Sequence, residues 1–328
     1  MEACGVGKKG WYFGGGCGIL SLYRNELAIT DGRNLTKYYG SYMKFVERCD
    51  IMTYFTAFLL GLIQGVAEFL PISSSGHLAI AQNLLGMSQA GSVPEFFDVL
   101  LHLGTLVAVF AAYWHEICDM VVEFFRGIGD LVHRTTPTPV PPARRLILLI
   151  VVGTLPLFAV LPIRKAVQGL GDNMFFVGGA LIFTGLLLFV CDGVRKGRKT
   201  ERSATWLDAL LVGVGQALAT LPGVSRSGMT ITAGCFVGYE RQFAVRFSFL
   251  LSIPAILGAN ILSIGDAAAA GINTAEVPMY LVGVVTAAVV GYACIRLLKY
   301  VAEKGRFGAF AYYCWAVGVL TLVLQAVK

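Results

Sequence analysis

Two short serine-containing stretches hold the side chains of this sequence that could do chemistry. The first runs from Gln64 to His77 as Gln-Gly-Val-Ala-Glu-Phe-Leu-Pro-Ile-Ser-Ser-Ser-Gly-His. The second runs from Leu221 to Gly228 as Leu-Pro-Gly-Val-Ser-Arg-Ser-Gly. Each stretch has a proline followed by serines and glycine, which are residues that interrupt helices. Together they supply a carboxylate, an imidazole, a guanidinium and several hydroxyls.

These residue types form a set that is suited to phosphate chemistry. Arginine binds phosphate oxygens through two parallel hydrogen bonds, and glycine-rich turns that open helices present backbone N–H groups to anions. A serine beside a histidine is a potential nucleophile with its base. A carboxylate beside a diphosphate is a natural site for a divalent cation. Gln64 and Glu68 are four residues apart, so they share one face of a helix.

Each of these residues also has a purely structural interpretation. Serines in membrane helices often bond only the backbone of a kink or of a neighbouring helix. Glu68 and Arg226 could form a charge pair that locks two segments together. A lone histidine such as His102 or His115 is more often structural or interfacial. The functional interpretation is favoured because an acid, a histidine and an arginine all fall in two matching breaks.

The composition of the chain predicts an integral membrane protein. Of the 328 residues, 56% are hydrophobic and only 14% are charged, whereas soluble domains carry about 25% charged residues. Too little polar surface remains to cover a water-soluble body of this size. The net charge of +6 is concentrated in short loops, which argues against a nucleic-acid partner. The cysteines are scattered singly without a C-x-x-C pair, so neither a zinc site nor a disulfide framework is indicated.

Apolar segments divide the chain from residue 53 onward into spans and two shorter pairs. Crossing a membrane takes about 20 apolar residues, and Phe96–Val122 is long enough. The other long segments are Leu146–Ile163, Phe175–Val190, Phe247–Ile264, Met279–Leu298 and Phe307–Val327. The segments around each serine-containing break are shorter, and broken backbone at membrane depth needs protein or water around it. We therefore predict an all-α polytopic membrane protein with about six transmembrane helices plus two re-entrant helical hairpins.

The two breaks are also the best internal repeat in the sequence. A shift of 152 residues places Gln64 on Gln216, Ser73 on Ser225, Ser75 on Ser227 and Gly76 on Gly228. The basic loops at 126–145, 195–202 and 296–306 are predicted to be cytoplasmic by the positive-inside rule. The first hairpin then opens from the outside and the second from the inside. The halves 53–191 and 206–328 are thus predicted to form an inverted-topology repeat, with the site near the midplane.

Residues 1–51 differ from the rest of the chain. They are rich in Gly, Tyr and basic residues and lack a long apolar run. Two interpretations stand: a partly disordered extension, or a misplaced start with Met52 as the natural beginning. The second is favoured because Met52 directly precedes an apolar segment. Residues 52–328 are predicted to form a single membrane domain.

From residue 53 to the end, the chain resembles the undecaprenyl pyrophosphate phosphatases, also called bacitracin-resistance proteins. The stretch Gln64–His77 is similar to their first signature, and Leu221–Gly228 is similar to their second. The resemblance implies hydrolysis of undecaprenyl diphosphate to undecaprenyl phosphate and inorganic phosphate. That reaction recycles the lipid carrier for cell-wall synthesis and confers bacitracin resistance. It also implies a polyprenyl diphosphate lipid as substrate, in contact with membrane lipids, in a bacterial cell membrane.

The resemblance assigns roles to individual residues. Ser74 would be the nucleophile or a water-positioning group, His77 a general base or acid, and Arg226 a clamp on the diphosphate. Glu68, with Gln64, would hold Mg²⁺ or Ca²⁺, and the neutral Gln64 would lower the affinity for the metal. Six further residues would bind the phosphate groups: Ser73, Ser75, Gly76, Ser225, Ser227 and Gly228. The sequence leaves open whether Ser74 or His77 forms a covalent phosphoenzyme.

An alternative of a different class is a secondary transporter or a lipid-phosphate flippase. Inverted repeats with broken helices are typical of transporters, whereas the serine, histidine and arginine of the two motifs favour hydrolysis. Transport and hydrolysis could also coexist. The oligomeric state is left open by the sequence, with a homodimer as one alternative.

Overall fold

The computed structural model describes residues 53–85, 87, 95–134, 137, 139–270, 276–304 and 307–327. The extension at 1–51 lies outside these residues, so both interpretations of it stay predictions. Within the described ranges the regular structure is helical, and the pairing of Lys199 with Tyr239 is an isolated bridge between two loops.

Twelve α-helices follow one another along the described ranges. They are α1 (Tyr54–Phe69), α2 (Ser74–Leu84), α3 (Glu95–Ala112), α4 (Trp114–His133), α5 (Pro142–Phe158), α6 (Arg164–Gly169), α7 (Met174–Gly193), α8 (Trp206–Leu218), α9 (Arg226–Phe236), α10 (Arg241–Ala270), α11 (Val277–Lys304) and α12 (Gly308–Val327). Short 3₁₀ turns at Leu161–Ile163 and Leu170–Asp172 flank α6.

The helices have the lengths that a multi-pass membrane protein needs. Four of those described, α7, α10, α11 and α12, are long and apolar enough to cross a membrane. Two bent pairs, α3 with α4 and α5 with Leu161–Asp172, raise the number to six if each pair is one span. The predicted all-α polytopic fold is confirmed. The opposite orientation of the two halves in the membrane stays a prediction.

The segment Phe96–Val122, predicted to be long enough to span, is not one straight helix. The chain bends by 85° between α3 and α4, and α4 has no buried residue. The bend is held by Lys299, whose Nζ donates to the carbonyl oxygen of Ala112 at 3.3 Å and lies 3.7 Å from the centre of the Tyr113 ring. Hydropathy alone missed the bend because apolar residues continue through it, mixed with acidic ones that are costly inside a bilayer.

The two hairpins begin and restart their helices in the same way. Thr53 caps α1 and Thr205 caps α8, each in a reciprocal pair with the residue three positions on. After each break a serine caps the next helix, which is the residue type that best satisfies a free N–H at a helix start. Ser73 accepts from the Gly76 N–H at 3.2 Å, and Ser225 accepts from the Gly228 N–H at 3.1 Å. The short repeat found in the sequence is therefore a repeat of local structure.

Each hairpin packs against a helix of the other half. A Cβ added at Gly61 on α1 would overlap the backbone of Gly283 on α11, and one added at Gly213 on α8 would overlap Gly153 on α5. Glycine lets two helix backbones approach this closely in a membrane. Because α11 belongs to the second half and α5 to the first, the two halves interlock.

The largest buried apolar cluster lies between the hairpins and α10. Phe69, at the end of α1, is 1% exposed, and its ring meets Phe249 of α10 edge-on with centroids 5.5 Å apart. Tyr239, which follows α9, packs on Phe243 and Phe247 of α10 with centroids 4.7 and 5.7 Å away. The core thus holds the ends of both hairpins against one long helix.

Candidate active site

The two serine-containing breaks meet inside the protein. The Ser75 hydroxyl accepts from the N–H of Gly223 at 3.3 Å, and the Ser227 hydroxyl donates to the carbonyl oxygen of Leu70 at 3.3 Å. A serine of each break therefore bonds the backbone of the other. The structure brings together the two motifs that the sequence places about half a chain apart.

Both breaks contain a residue with positive φ. Gly223 has φ +86° and Ser73 has φ +76°. Positive φ is ordinary for glycine but strained for serine, and such strain persists where the surroundings fix it. Ser73 is fixed twice, because its hydroxyl caps α2 and its carbonyl oxygen lies 2.7 Å from Nδ1 of His77.

Glu68 lies at the centre of the site and is 8% exposed. Its Oε1 lies 2.9 Å from Nη2 of Arg226, which belongs to the other hairpin. Its Oε2 accepts from the Ser74 hydroxyl at 2.7 Å and from Nε2 of Gln64 at 3.1 Å. Nε2 of His102 lies 3.9 Å from the same oxygen. A buried carboxylate needs such a partner, and the guanidinium supplies the opposite charge.

Ser74 and His77 lie on the first turn of α2 but have different partners. The described hydrogen bond of the Ser74 side chain goes to Glu68. His77 bonds the Ser73 carbonyl oxygen through Nδ1 and the Tyr313 hydroxyl through Nε2 at 2.9 Å. In this structure the acceptor nearest to the Ser74 proton is thus the Glu68 carboxylate, and the pairing of Ser74 with His77 stays a prediction.

The predicted site residues of the two breaks divide into two groups by their exposure to solvent. Ser73, Ser225 and Ser227 are between 1% and 5% exposed, and their hydroxyls bond the protein's own backbone at the breaks. Ser75 is exposed, and Ser74, His77 and Arg226 are partly exposed. The buried serines build the two turns, whereas the other four side chains are open to a ligand.

Gln64 and Glu68 have a donor chemistry that fits a hard divalent cation. Gln64 is fully buried, and its Oε1 has no hydrogen-bond partner in the described part of the chain. An unpaired buried carbonyl oxygen beside a carboxylate is a pair of ligands that Mg²⁺ and Ca²⁺ accept, with substrate and water completing the shell. The described residues contain no cluster of three or more His, Cys, Asp or Glu, so a cation here would have few protein ligands.

Three residues near the site were not among the sequence-predicted ones. His102, on α3, was interpreted as structural, yet its side chain is 30% exposed and faces Glu68. An ionisable residue within an apolar helix is a functional candidate, and that signal could have found it. Thr184, on α7, accepts from the Ser225 N–H at 3.1 Å and so supports the second break. Tyr313, on α12, carries no signal that separates it from the other aromatic residues of that helix.

The chain is similar to known proteins over most of its length. The model of the family described as bacitracin resistance protein BacA matches residues 57–320. The chain belongs to this family. Both breaks lie inside the matched range, so the resemblance on which the two motifs were interpreted is confirmed for this member of the BacA family.

Three curated relatives of this BacA family member carry the same name. The undecaprenyl-diphosphatase of Methanosphaera stadtmanae is 37% identical over 284 residues, which cover 83% of this chain and 98% of that protein. That of Alkaliphilus metalliredigens is 38% identical over 279 residues, 84% of this chain and 99% of the relative. That of Desulfatibacillum aliphaticivorans is 42% identical over 278 residues, 82% and 98% of the two chains.

Proposed function

We propose that this protein hydrolyses undecaprenyl diphosphate to undecaprenyl phosphate and inorganic phosphate in a bacterial cell membrane. The reaction recycles the lipid carrier of cell-wall synthesis, and it accounts for bacitracin resistance. The observation that carries the proposal is the cluster of the buried Glu68 with the partly exposed Arg226 and Ser74 at the meeting point of the two breaks. The relatives named undecaprenyl-diphosphatase match this chain over nearly their whole length, which favours hydrolysis over transport alone.

Two helix starts and one guanidinium bind the diphosphate. Both α2 and α9 begin at the site, and a helix N-terminus attracts anions through its free N–H groups and its dipole. The ion pair with Glu68 uses Nη2 of Arg226, so other donors of the planar guanidinium remain for phosphate oxygens. The exposed hydroxyl of Ser75 adds a further donor. A cation held by Gln64 and Glu68 would add positive charge beside the phosphate oxygens.

Ser74 then attacks the terminal phosphorus of the diphosphate. The new bond joins Oγ of Ser74 to phosphorus, and the bond from phosphorus to the bridging oxygen breaks, so undecaprenyl phosphate leaves. The hydroxyl proton passes to Oε2 of Glu68, which already accepts it as a hydrogen bond at 2.7 Å. Catalysis consists mainly of alignment and charge stabilisation, as in other phosphoryl transfers.

Water completes the cycle by hydrolysing the phosphoserine. His77 is the base of this step, and the proton that the attacking water gives up ends on Nε2, the ring nitrogen that does not bond the Ser73 carbonyl. The Ser74 oxygen leaves with the proton held on Glu68, and inorganic phosphate is released. The enzyme thereby returns to its starting protonation state after His77 gives its proton to the departing phosphate or to water.

Phosphate release from the C55 diphosphate by purified protein in detergent tests this function. We expect the wild type to release phosphate, EDTA to abolish the release, and Mg²⁺ or Ca²⁺ to restore it.

The variant Arg226→Lys tests the clamp on the diphosphate. Lysine keeps the charge but not the planar fork, so kcat/KM should fall about 10- to 100-fold, the value of one or two charge-assisted hydrogen bonds. Arg126→Lys is the matched control, since Arg126 is a largely exposed arginine on α4. A protein that inserts and binds the lipid but releases no phosphate would leave transport as the function.

A further inference from the structure

His77 is held by one hydrogen bond on each ring nitrogen. Nδ1 lies 2.7 Å from the carbonyl oxygen of Ser73, and Nε2 lies 2.9 Å from the hydroxyl of Tyr313. Because a carbonyl oxygen only accepts, Nδ1 carries the hydrogen of the neutral imidazole. Nε2 is then the nitrogen with the lone pair, and the Tyr313 hydroxyl donates to it.

Tyr313 also fixes the plane of the imidazole. The two rings are nearly parallel, with an angle of 8° between their planes and 5.6 Å between their centroids. That separation lies within the range of favourable aromatic pairs. Tyr313 thus occupies the Nε2 lone pair and holds the tilt of the ring.

The segment of α12 that carries Tyr313 is anchored to the site. Cys314 is fully buried, and its Sγ lies 3.8 Å from the carbonyl oxygen of Pro71, within the first break. Trp315 donates from Nε1 to the carbonyl oxygen of Ile182 on α7 at 3.1 Å. The hydroxyl of Tyr313 is therefore carried by backbone that is tied to the same turn as His77.

We propose that Tyr313 relays a proton to His77: its hydroxyl oxygen accepts a proton from the attacking water while its own hydroxyl proton, which is hydrogen-bonded to Nε2 at 2.9 Å, passes to that nitrogen. This inference rests on the proposed role of His77 as the base of the step in which water attacks. Tyr313 belongs to neither motif and lies 236 residues from His77 along the chain. The last helix thereby takes part in the reaction through the histidine of the first break.

The first arm of the test compares Tyr313→Phe with Tyr312→Phe. Phenylalanine at 313 keeps the ring and removes the hydroxyl, so kcat should fall about 3- to 10-fold, the value of one hydrogen bond, with KM unchanged. Tyr312 is the matched control because it is 61% exposed and packs on Phe189 and Trp315, away from His77. Tyr313→Leu, which also removes the parallel ring, should lose more than Tyr313→Phe.

The second arm repeats Tyr313→Phe in a His77→Gln background. A residue that passes its proton to His77 has no acceptor left there, so Tyr313→Phe should cost no further activity. Additive losses would overturn the proposal. Full activity of His77→Gln alone would instead refute the proposed role of His77, and the two failures are thus distinguishable.

The third arm does not depend on turnover. Diethyl pyrocarbonate acylates a neutral imidazole nitrogen that has a free lone pair, and mass spectrometry of the His77 peptide gives the rate. The Tyr313 hydroxyl covers Nε2, so Tyr313→Phe should raise the acylation rate about threefold or more, by the loss of one hydrogen bond. Tyr312→Phe should leave the rate unchanged. Equal rates in the wild type and both variants would overturn the proposal.

Discussion

At the scale of single residues, Glu68 joins structural and chemical roles in one carboxylate. Its ion pair with Arg226 connects the two hairpins, and its bond to Ser74 places an acceptor on the hydroxyl of the proposed nucleophile. The carboxylate of Glu68 therefore serves both interpretations: it locks the two hairpins together, and it takes part in the proposed reaction. Breaking a buried pair on one side leaves an unpaired charge, which costs about 3–5 kcal/mol, so Glu68 variants report on folding as well as on catalysis.

His77→Gln gives a cleaner test of the residue-level mechanism than any change at Glu68. It removes the proton acceptor for the second step and leaves the Ser74 hydroxyl with its Glu68 partner, so phosphate should accumulate on Ser74. We expect a phosphorylated Ser74 peptide from His77→Gln after incubation with the C55 diphosphate, and none from the Ser74→Ala, His77→Gln double variant. Mass spectrometry of the acid-quenched protein provides the measurement.

Two results would contradict this order of steps. A phosphorylated His77 peptide in the wild type would make the histidine the nucleophile. Steady turnover by Ser74→Ala would assign the attack to water, with Ser74 as a water-positioning group.

At the scale of helices, the hairpins were predictable and their neighbours were not. Proline, serine and glycine between two short apolar segments mark each break, and the caps Ser73 and Ser225 follow from residue type. The bend after Ala112 was missed because it depends on Lys299, a contact from a distant helix. For the same reason His102 and Tyr313 join the site only once the chain has folded, and no local pattern marks Tyr313.

The packing of α1 on α11 gives a stability prediction. A Cβ at Gly61 would overlap the backbone of Gly283, so Gly61→Ala should force the two helices apart and destabilise the protein by about 1–3 kcal/mol, the usual effect of overpacking. The measurement is the midpoint of thermal unfolding in detergent. Gly258→Ala on α10 is the control, since nothing lies within 4 Å of its added Cβ and alanine favours a helix. A Gly61→Ala midpoint at or above that of the control would contradict the close approach.

At the scale of the whole molecule, the hairpin of each half packs on a helix of the other. Gly61 contacts Gly283 and Gly213 contacts Gly153, so neither half buries its hairpin alone. The composition of the sequence is sufficient to predict a multi-pass membrane protein, and the motifs predict that both breaks share one site. The interlocking could not be predicted, because the identity of a glycine's partner depends on how the folded helices pair rather than on the local pattern.

The inverted relation of the halves in the membrane is the prediction that belongs to this scale. Thr53 and Thr205 are equivalent, exposed residues that cap the first helix of each hairpin, so a cysteine at each position reports the side from which its hairpin enters. In a background without the native cysteines, Thr53→Cys should react with an impermeant thiol reagent on intact cells. Thr205→Cys should react only after the membrane is opened, because the adjacent loop at 195–202 is basic and positive loops stay in the cytoplasm.

The variant Lys196→Cys, in that loop, gives the reference for cytoplasmic labelling. Gly197 is unsuitable for this purpose because an added Cβ would overlap the backbone of Gly238. Labelling of Thr53→Cys and Thr205→Cys from the same side would show that the two hairpins enter in parallel, and the site would then open to one side of the membrane only.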